Sequence, residues 1–190
     1  MRYEIGIAGS GGQGIALMGT ILADAAAQRE DMFVAQTRSY DAAVTGGKTQ
    51  SNLVISDEEI DYPGVVGFDL LLLFTQRGSE TNTAKLKKDA LLIVDADLVR
   101  EGAWNRILRI PFTKIARERF NDARMANMIA LGALTELCEY IPSSAVEDSV
   151  SARFRKHVLE LNLSSFREGI EITKTQKFSF ETVEEEDTKI

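Results

Sequence analysis

The sequence predicts an α/β fold with three layers, α/β/α, built on a mostly parallel, Rossmann-like sheet and completed by a helical C-terminal part. Residues 3–8 are apolar-biased and run directly into the glycine-rich residues 9–14, after which apolar residues recur at helical spacing up to Arg29. A strand, a glycine loop and a helix in this order open a doubly wound α/β unit. Residues 69–74 and 91–94 are continuous apolar runs, which are typical of strands covered on both faces.

The segments between and after these runs supply the other elements. Further strands are predicted at residues 32–36, 50–56 and 106–110. Residues 78–88 predict a crossover helix between two buried strands. Residues 123–139 are almost wholly apolar, so we expect a helix buried in the core or against a partner subunit. Two amphipathic segments follow, at 146–160 and 164–174.

Length and composition indicate one globular domain. The chain has 190 residues, of which 44% are hydrophobic, and this is enough to bury a sizeable core. We expect a single domain over residues 1–176. Residues 177–190 are rich in acidic side chains and have no core-forming period, so we expect a flexible tail or an extension that wraps a partner.

Charge and cysteine content exclude several classes of partner and cofactor. The formal net charge of −7 disfavours nucleic acid and an anionic membrane surface as partners. The one cysteine, Cys138, excludes an intramolecular disulfide and is too few for a cysteine-ligated metal or iron–sulfur cluster. No apolar run is long enough to span a bilayer, and residues 1–5 show no signal-peptide pattern, so we expect a cytoplasmic protein.

The first glycine loop is the main candidate for ligand binding. Its candidate residues are Gly9, Ser10, Gly11, Gly12, Gln13 and Gly14. They satisfy the G-x-G-x-x-G pattern, which lets a phosphate approach the backbone at a helix N-terminus, although a purely steric turn has the same pattern. No acid ends the second strand, which disfavours NAD; Arg38 near that position leaves NADP open.

A second loop, residues 39–48, is the other unusual feature. Its candidate residues are Ser39, Tyr40, Gly46, Gly47 and Lys48. Two adjacent glycines followed by a lysine make a loop that tolerates an anion, so these residues are expected either to contact a ligand or partner or to form an exposed turn. No catalytic set accompanies the loops. His157 lies among charged residues, and Asp95 and Asp97 at a strand end are as well placed to cap a turn as to serve chemistry.

Several blocks, taken together and in order, resemble the gamma subunit of the 2-oxoacid:ferredoxin oxidoreductases. The blocks are residues 9–15, Ser39-Tyr40, Gly46-Gly47, residues 54–60 and residues 126–134. The resemblance runs from about residue 3 to residue 174 and includes the pyruvate, 2-oxoisovalerate, 2-oxoglutarate and indolepyruvate types, so it leaves the substrate open. One departure is Thr45, which stands where relatives usually have an arginine, and this removes a bidentate phosphate or carboxylate contact.

The resemblance implies oxidative decarboxylation of a 2-oxoacid to an acyl-CoA, with electrons passed to ferredoxin. It implies a complex with alpha, beta and delta subunits that uses thiamine diphosphate, magnesium, iron–sulfur clusters and coenzyme A, none of them held by this chain alone. This chain would then support the active site and the CoA side, adding Asn127 to the ligand-contacting residues, and would be inactive by itself, with a homodimer possible when isolated. The alternative is a stand-alone nucleotide- or CoA-binding module.

Overall fold

A single six-stranded sheet organises the computed structural model, which describes residues 1–40, 47–101, 104 and 106–175. The strands are β1 (Arg2–Ser10), β2 (Phe33–Tyr40), β3 (Lys48–Ser56), β4 (Phe68–Leu73), β5 (Leu86–Asp95) and β6 (Ile107–Ile110). Their order across the sheet is β2-β3-β1-β4-β5-β6. The neighbouring pairs β1–β4, β4–β5 and β5–β6 are parallel. Strand β3 is antiparallel to both of its neighbours, β1 and β2. Every strand except β3 therefore runs in one direction, which confirms the mostly parallel α/β fold.

Helices cover the two faces of the sheet unequally. They are α1 (Ile15–Ala26), α2 (Gln76–Asn82), α3 (Phe112–Phe120), α4 (Ala126–Glu136), α5 (Ser143–Arg153) and α6 (Lys156–Thr175). The larger apolar cluster joins α1 and α3–α6 to one face through buried residues such as Ile7, Leu72 and Ile129. A smaller cluster around Phe68 and Leu73 fills the other face, where α2 packs.

The apolar helix α4 is buried within this chain. Residues Met128 to Thr135 are all buried, and α6 packs along α4 so closely that two glycines, Gly132 and Gly169, lie at the contact. Of the two environments that the sequence left open for this helix, the core is the one the structure shows. The helical C-terminal part of the fold is thereby also confirmed.

The helices differ from the predicted ones in several places. The crossover helix at 78–88 is wrong in its second half, because α2 ends at Asn82 and β5 already begins at Leu86, where it pairs with Phe68. The amphipathic segments divide at residues 154–155 instead of 160–164. Helix α3 was not predicted at all. The tail at 177–190 lies outside the described residues, and the single domain over 1–176 stays a prediction. No helix in the described ranges has the length and apolar character needed to cross a membrane.

Candidate functional site

The first glycine loop joins β1 to α1 through two residues in the left-handed region. Gly12 has φ 91°, and Gly14, the N-cap of α1, has φ 75°. A Cβ on Gly14 would lie 2.1 Å from Asn127 Nδ2, so glycine is required there by both backbone conformation and space. Among the described residues, no side chain caps the first turn of α1, so its N–H groups are available to an anion.

The side chain of Gln13 stabilises the loop through hydrogen bonds to the backbone at the ends of two strands. Its Oε1 accepts a hydrogen bond from Ser10 N at 2.7 Å, and its Nε2 donates to Phe74 O at 3.4 Å. A Cβ on Gly9 would come within 2.6 Å of Gln13 Oε1. The glutamine thus ties the end of β1 to the end of β4, and Gly9 leaves the space that it occupies.

The two glycine loops meet at one end of the sheet. Gly11 N donates to Gly47 O at 3.0 Å, and Ser10 lies opposite Lys48 in the β1–β3 register. Ser39 and Tyr40 end β2 nearby and are exposed. Gly46 and Thr45 lie outside the described residues.

The side chain of Lys48 points to the face of the sheet that α2 covers. Its Nζ donates to Thr81 Oγ1 at 3.0 Å, and Thr81 belongs to α2. The structure thus brings the loop backbones together but separates the lysine from Gln13 and Asn127.

A cavity of about 270 Å³ lies beside the first loop, on the face covered by α3 and α4. It sits where the carboxyl ends of β1, β4 and β5 meet, the position at which open α/β sheets bind ligands. Of the predicted site residues, Gly12, Gln13 and Asn127 line it. The other lining residues were not singled out from the sequence, and they are Phe74, Leu98, Thr113, Arg117, Ala123, Arg124 and Ala126.

The polar groups of this cavity include one unpaired side-chain acceptor and one unpaired cation. Asn127 Oδ1 is buried without a hydrogen-bond partner among the described residues. Arg124 is bound to Asp122, with Nη2 2.7 Å from Oδ2, and this contact lowers the pKa of Asp122. The side chain of Arg117 is exposed and makes no ion pair or hydrogen bond to any residue in the described ranges.

Two carboxylates from the end of β5 hold α3 against the cavity. Asp95 is fully buried, and its Oδ2 accepts from Thr113 N at 3.0 Å and from Thr113 Oγ1 at 2.5 Å. Asp97 Oδ2 accepts from Lys114 N at 3.0 Å. Burial raises the pKa of Asp95, against the effect of its hydrogen bonds. The pair therefore caps the first turn of α3, the helix that carries Arg117.

The remaining candidates lie away from this cavity. His157 is exposed at the start of α6. Burial raises the pKa of the Cys138 thiol to about 11, so this side chain is a protonated, packed residue at neutral pH. Within the described ranges, no three histidine, cysteine, aspartate or glutamate side chains are grouped as a metal site would require.

The topology separates β2 from the glycine loop. A dinucleotide-binding fold places its second strand beside the first, but here β3 lies between them, and two strand spacings amount to roughly 10 Å. Arg38 on β2 donates to Thr20 Oγ1 at 2.6 Å and to Gln36 Oε1 at 2.9 Å. The arginine is therefore engaged on the outer side of α1, and nothing in this geometry favours a nicotinamide dinucleotide.

Comparisons with known proteins agree with this architecture. The family model described as "Pyruvate ferredoxin/flavodoxin oxidoreductase" matches residues 4–172. The chain is 37% identical to the 2-oxoglutarate synthase subunit KorC of Methanocaldococcus jannaschii, over 92% of this chain and 95% of the relative. The gamma subunit of a keto/oxoacid ferredoxin oxidoreductase from Geobacter sulfurreducens superposes with a TM-score of 0.81 at 32% identity, covering 92% of this chain and 97% of that one.

Two longer relatives match this chain over about a third of their own length. A 2-oxoglutarate:ferredoxin oxidoreductase from Magnetococcus marinus, solved with 2-oxoglutarate, coenzyme A and succinyl-CoA bound, superposes with a TM-score of 0.83 at 27% identity. The superposed region includes 94% of this chain but only 32% of the Magnetococcus marinus chain. The ketoisovalerate oxidoreductase subunit VorA of Methanothermobacter thermautotrophicus is 26% identical over 90% of this chain and 36% of the relative.

Proposed function

The chain belongs to the pyruvate ferredoxin/flavodoxin oxidoreductase family, and on that premise we propose that it serves a complex converting 2-oxoglutarate and coenzyme A to succinyl-CoA with electrons passed to ferredoxin. It is the gamma subunit of a 2-oxoacid:ferredoxin oxidoreductase. The observation that carries the choice of substrate is the match, along almost the whole of both chains, to a 2-oxoglutarate synthase subunit at 37% identity. The ketoisovalerate relative is less similar, at 26%.

The residues of this chain do not fit the redox cofactors of such a complex. An iron–sulfur cluster needs several thiolates, whereas this sequence has one cysteine, and it is buried. The described residues hold no group of acids and histidines suited to magnesium. We propose that thiamine diphosphate, magnesium and the clusters are held by other subunits, where thiamine diphosphate supplies the carbanion chemistry.

Coenzyme A is the ligand that we assign to this subunit. The free N–H groups at the start of α1, the left-handed Gly12 and the unpaired Arg117 offer contacts to phosphate around one cavity. A relative of similar fold was solved with coenzyme A and succinyl-CoA bound, which supports this assignment. Gly9, Ser10, Gly11 and Gly14 shape the loop, and the second loop, through Gly47, supports it from the side.

The proposed partners are alpha, beta and delta subunits, with ferredoxin as the electron acceptor of the assembled complex. The chain spans about a third of two relatives, so in those proteins the same domain is covalently joined to a larger remainder. A separate chain equivalent to that remainder is the expected neighbour here. We propose that the complex lies in the cytoplasm. The chain has one cysteine and so forms no internal disulfide, which is usual for proteins of this reducing compartment.

Co-purification tests this proposal directly. The chain would be tagged in its native cell, and the proteins isolated with it identified by mass spectrometry. The isolated complex would then be assayed for reduction of a viologen dye with 2-oxoglutarate, pyruvate or 2-oxoisovalerate, with and without coenzyme A. We expect CoA-dependent reduction with 2-oxoglutarate above the other acids, and none from the purified chain alone.

Two outcomes would contradict the proposal. Faster turnover of pyruvate or 2-oxoisovalerate would overturn the assigned substrate and leave the complex in place. Recovery of the chain alone or as a homodimer, with ligand binding but no associated oxidoreductase activity, would instead support a stand-alone nucleotide- or CoA-binding module.

A further inference from the structure

We propose that an exposed patch at the amino end of β1 docks a basic and apolar segment of a partner subunit. This Tyr62 patch consists of the exposed apolar side chains of Phe33, Tyr62 and Val66 and an acidic rim formed by Glu58, Glu59 and Asp61. The inference rests on the proposed function, since the partner is one of the subunits that would complete the complex. It assigns to this chain an assembly surface that none of its sequence motifs includes.

The apolar side chains of the Tyr62 patch border one cavity of about 410 Å³. Tyr62 is 60% exposed and Val66 is 75% exposed, and both line the cavity. Phe33, which is 48% exposed, lies on β2 opposite Ser56 of β3, and Ser56 also lines the cavity. Because side chains directly opposite each other in an antiparallel pair share one face of the sheet, Phe33 borders the cavity as well. An exposed apolar patch with a polar rim marks a site of protein interaction.

A largely buried ion pair holds the loop that carries Tyr62 and Val66. Arg2 Nε lies 2.5 Å from Glu4 Oε1, and Glu4 is 1% exposed. Arg2 Nη2 donates hydrogen bonds to Tyr62 O at 3.0 Å and to Gly64 O at 2.7 Å. Glu4 Oε2 accepts a hydrogen bond from Val66 N at 2.9 Å. Since the backbone is held beside both exposed side chains, a partner that binds them incurs little of the entropy cost of ordering a loop.

Gly64 determines the position of the Tyr62 ring. A Cβ at Gly64 would collide with Cζ and the hydroxyl oxygen of that ring, so the ring lies directly against the glycine. Pro63 stands between the two residues and restricts the backbone of Tyr62 further. A tyrosine held in this way is the kind of side chain that contributes most to the affinity of protein interfaces.

The rim of the Tyr62 patch is acidic, and its carboxylates are unpaired. Glu58, Glu59 and Asp61 are exposed and make no ion pair within the ranges that the structure describes. The cationic groups that line the cavity, Arg2 and the amino terminus, are already engaged in ion pairs with other carboxylates. The complementary surface is therefore an apolar side chain flanked by lysine or arginine.

Charge disfavours the other occupants of the patch. A second copy of this chain would bring the same acidic rim against the first, and each copy carries a net charge of −7. The acidic residues 177–190 of the chain itself meet the same repulsion. A partner subunit has a separate reason to be present, because this domain accounts for about a third of two longer relatives.

Competition between tagged variants and the native chain tests the docking surface. Each full-length variant would be produced with a tag in the native cell beside the untagged wild-type chain. The oxidoreductase subunits recovered per tagged chain would be counted by quantitative mass spectrometry. We expect Tyr62→Ser to recover about a tenth of the wild-type amount or less, which is the effect of removing a central interface tyrosine. Gly64→Ala keeps every side chain of the patch but displaces the Tyr62 ring, so it should also lower the recovery.

A matched control separates this surface from general effects on the fold. Leu161→Ser removes another exposed apolar side chain, from α6 and outside the patch, and should recover the wild-type amount. All three purified variants should melt within about 2 °C of the wild type, as is usual for exposed positions. The patch and the glycine loop lie at opposite ends of the nine residues of β1, roughly 26 Å apart, so these variants leave the ligand cavity intact.

Salt tests the charge of the partner. The variant Glu58→Gln, Glu59→Gln, Asp61→Asn keeps the apolar side chains and removes the charge of the rim. Washing the immobilised complex with about 0.5 M salt in place of about 0.05 M should release several-fold more partner from the wild type than from this variant, because salt screens exposed charges.

The outcomes separate the docking surface from the proposed function. Wild-type recovery with both Tyr62→Ser and Gly64→Ala, or an equal loss with Leu161→Ser, would overturn the surface while leaving the complex in place. Equal release by salt from the wild type and the rim variant would overturn the basic partner. A homodimer that Tyr62→Ser dissociates would assign the patch to a second copy and contradict the inference. If the wild-type chain brings down no oxidoreductase subunit, the surface and the proposed function both fall.

Discussion

Replacing Gly132 by alanine would insert a methyl group at the closest approach of α4 and α6. A Cβ at this position lies 2.0 Å from Phe166 O and 3.0 Å from Ile170 N. Carbon–oxygen contacts between neighbouring backbones are normally about 3.3 Å or longer, so the helices would have to separate locally by roughly 1.3 Å. Because both obstructing atoms belong to the backbone, no side-chain rotation relieves the contact.

The expected loss of stability follows from two opposed effects. Overpacking a close-packed core costs about 1–3 kcal/mol, and a contact with backbone belongs at the upper end of that range. Alanine recovers about 1 kcal/mol through its higher helix propensity. We therefore expect Gly132→Ala to lower the free energy of unfolding by about 2 kcal/mol. For a chain of this size, that corresponds to a fall in Tm of about 4–8 °C.

Thermal and urea unfolding of the purified chain would measure this change. Gly169→Ala should give a similar loss, because its Cβ would lie 1.9 Å from Ile129 O. Gly78→Ala is the matched control on another helix, where the nearest atom is a threonine hydroxyl at 3.0 Å and the next are at 3.5 Å. We expect that control to stay within about 1 kcal/mol of the wild type. A Gly132→Ala protein that melts at or above the wild-type temperature would refute the backbone-to-backbone contact.

Three other changes test the buried polar groups and the loop. Glu4→Ala removes a buried carboxylate that accepts from an arginine and two backbone N–H groups, so urea unfolding should show a loss of about 3 kcal/mol, against about 0.5 kcal/mol or less for exposed Asp57→Asn. Gly14→Ala should cost about 2 kcal/mol through its left-handed backbone and its clash with Asn127, and adding Asn127→Ala should restore only the steric part. Burial raises the pKa of Asp95, so its ionisation costs more in the folded state than in the unfolded one. The stability of the wild type relative to Asp95→Asn should therefore decline as pH rises above about 4, and a constant difference up to about pH 7 would contradict this.

The family of the chain was predictable because its motif residues are fixed by local constraints. The left-handed backbone conformations of Gly12 and Gly14 restrict which residues these positions accept. Such restrictions leave a pattern in the sequence, and the resemblance based on that pattern is confirmed by the family match over residues 4–172. Ligand contact by those residues stays a prediction.

Helix α3 shows why part of the site was missed. Its N-cap is Pro111, which offers no side-chain cap, and two buried residues, Phe112 and Ala116, are its apolar contribution. The groups that satisfy its first turn come from Asp95 and Asp97, more than a dozen positions earlier in the chain. Helix start signals are recognised from adjacent residues, so a cap supplied by a distant strand leaves no local pattern. Arg117 was overlooked together with its helix.

The sequence by itself determined the fold class, the glycine loop at the end of β1 and the absence of thiolates for a cluster, because periodicity, backbone conformation and residue type are local properties. The tertiary structure alone decided which side chains share a cavity. Lys48 and Asn127 were predicted as one set of candidates, yet the lysine is bound to α2 on one face and the asparagine lies beside Gly14 on the other. Side-chain direction across a sheet and helix packing depend on contacts between residues far apart in the chain, and no short segment encodes them.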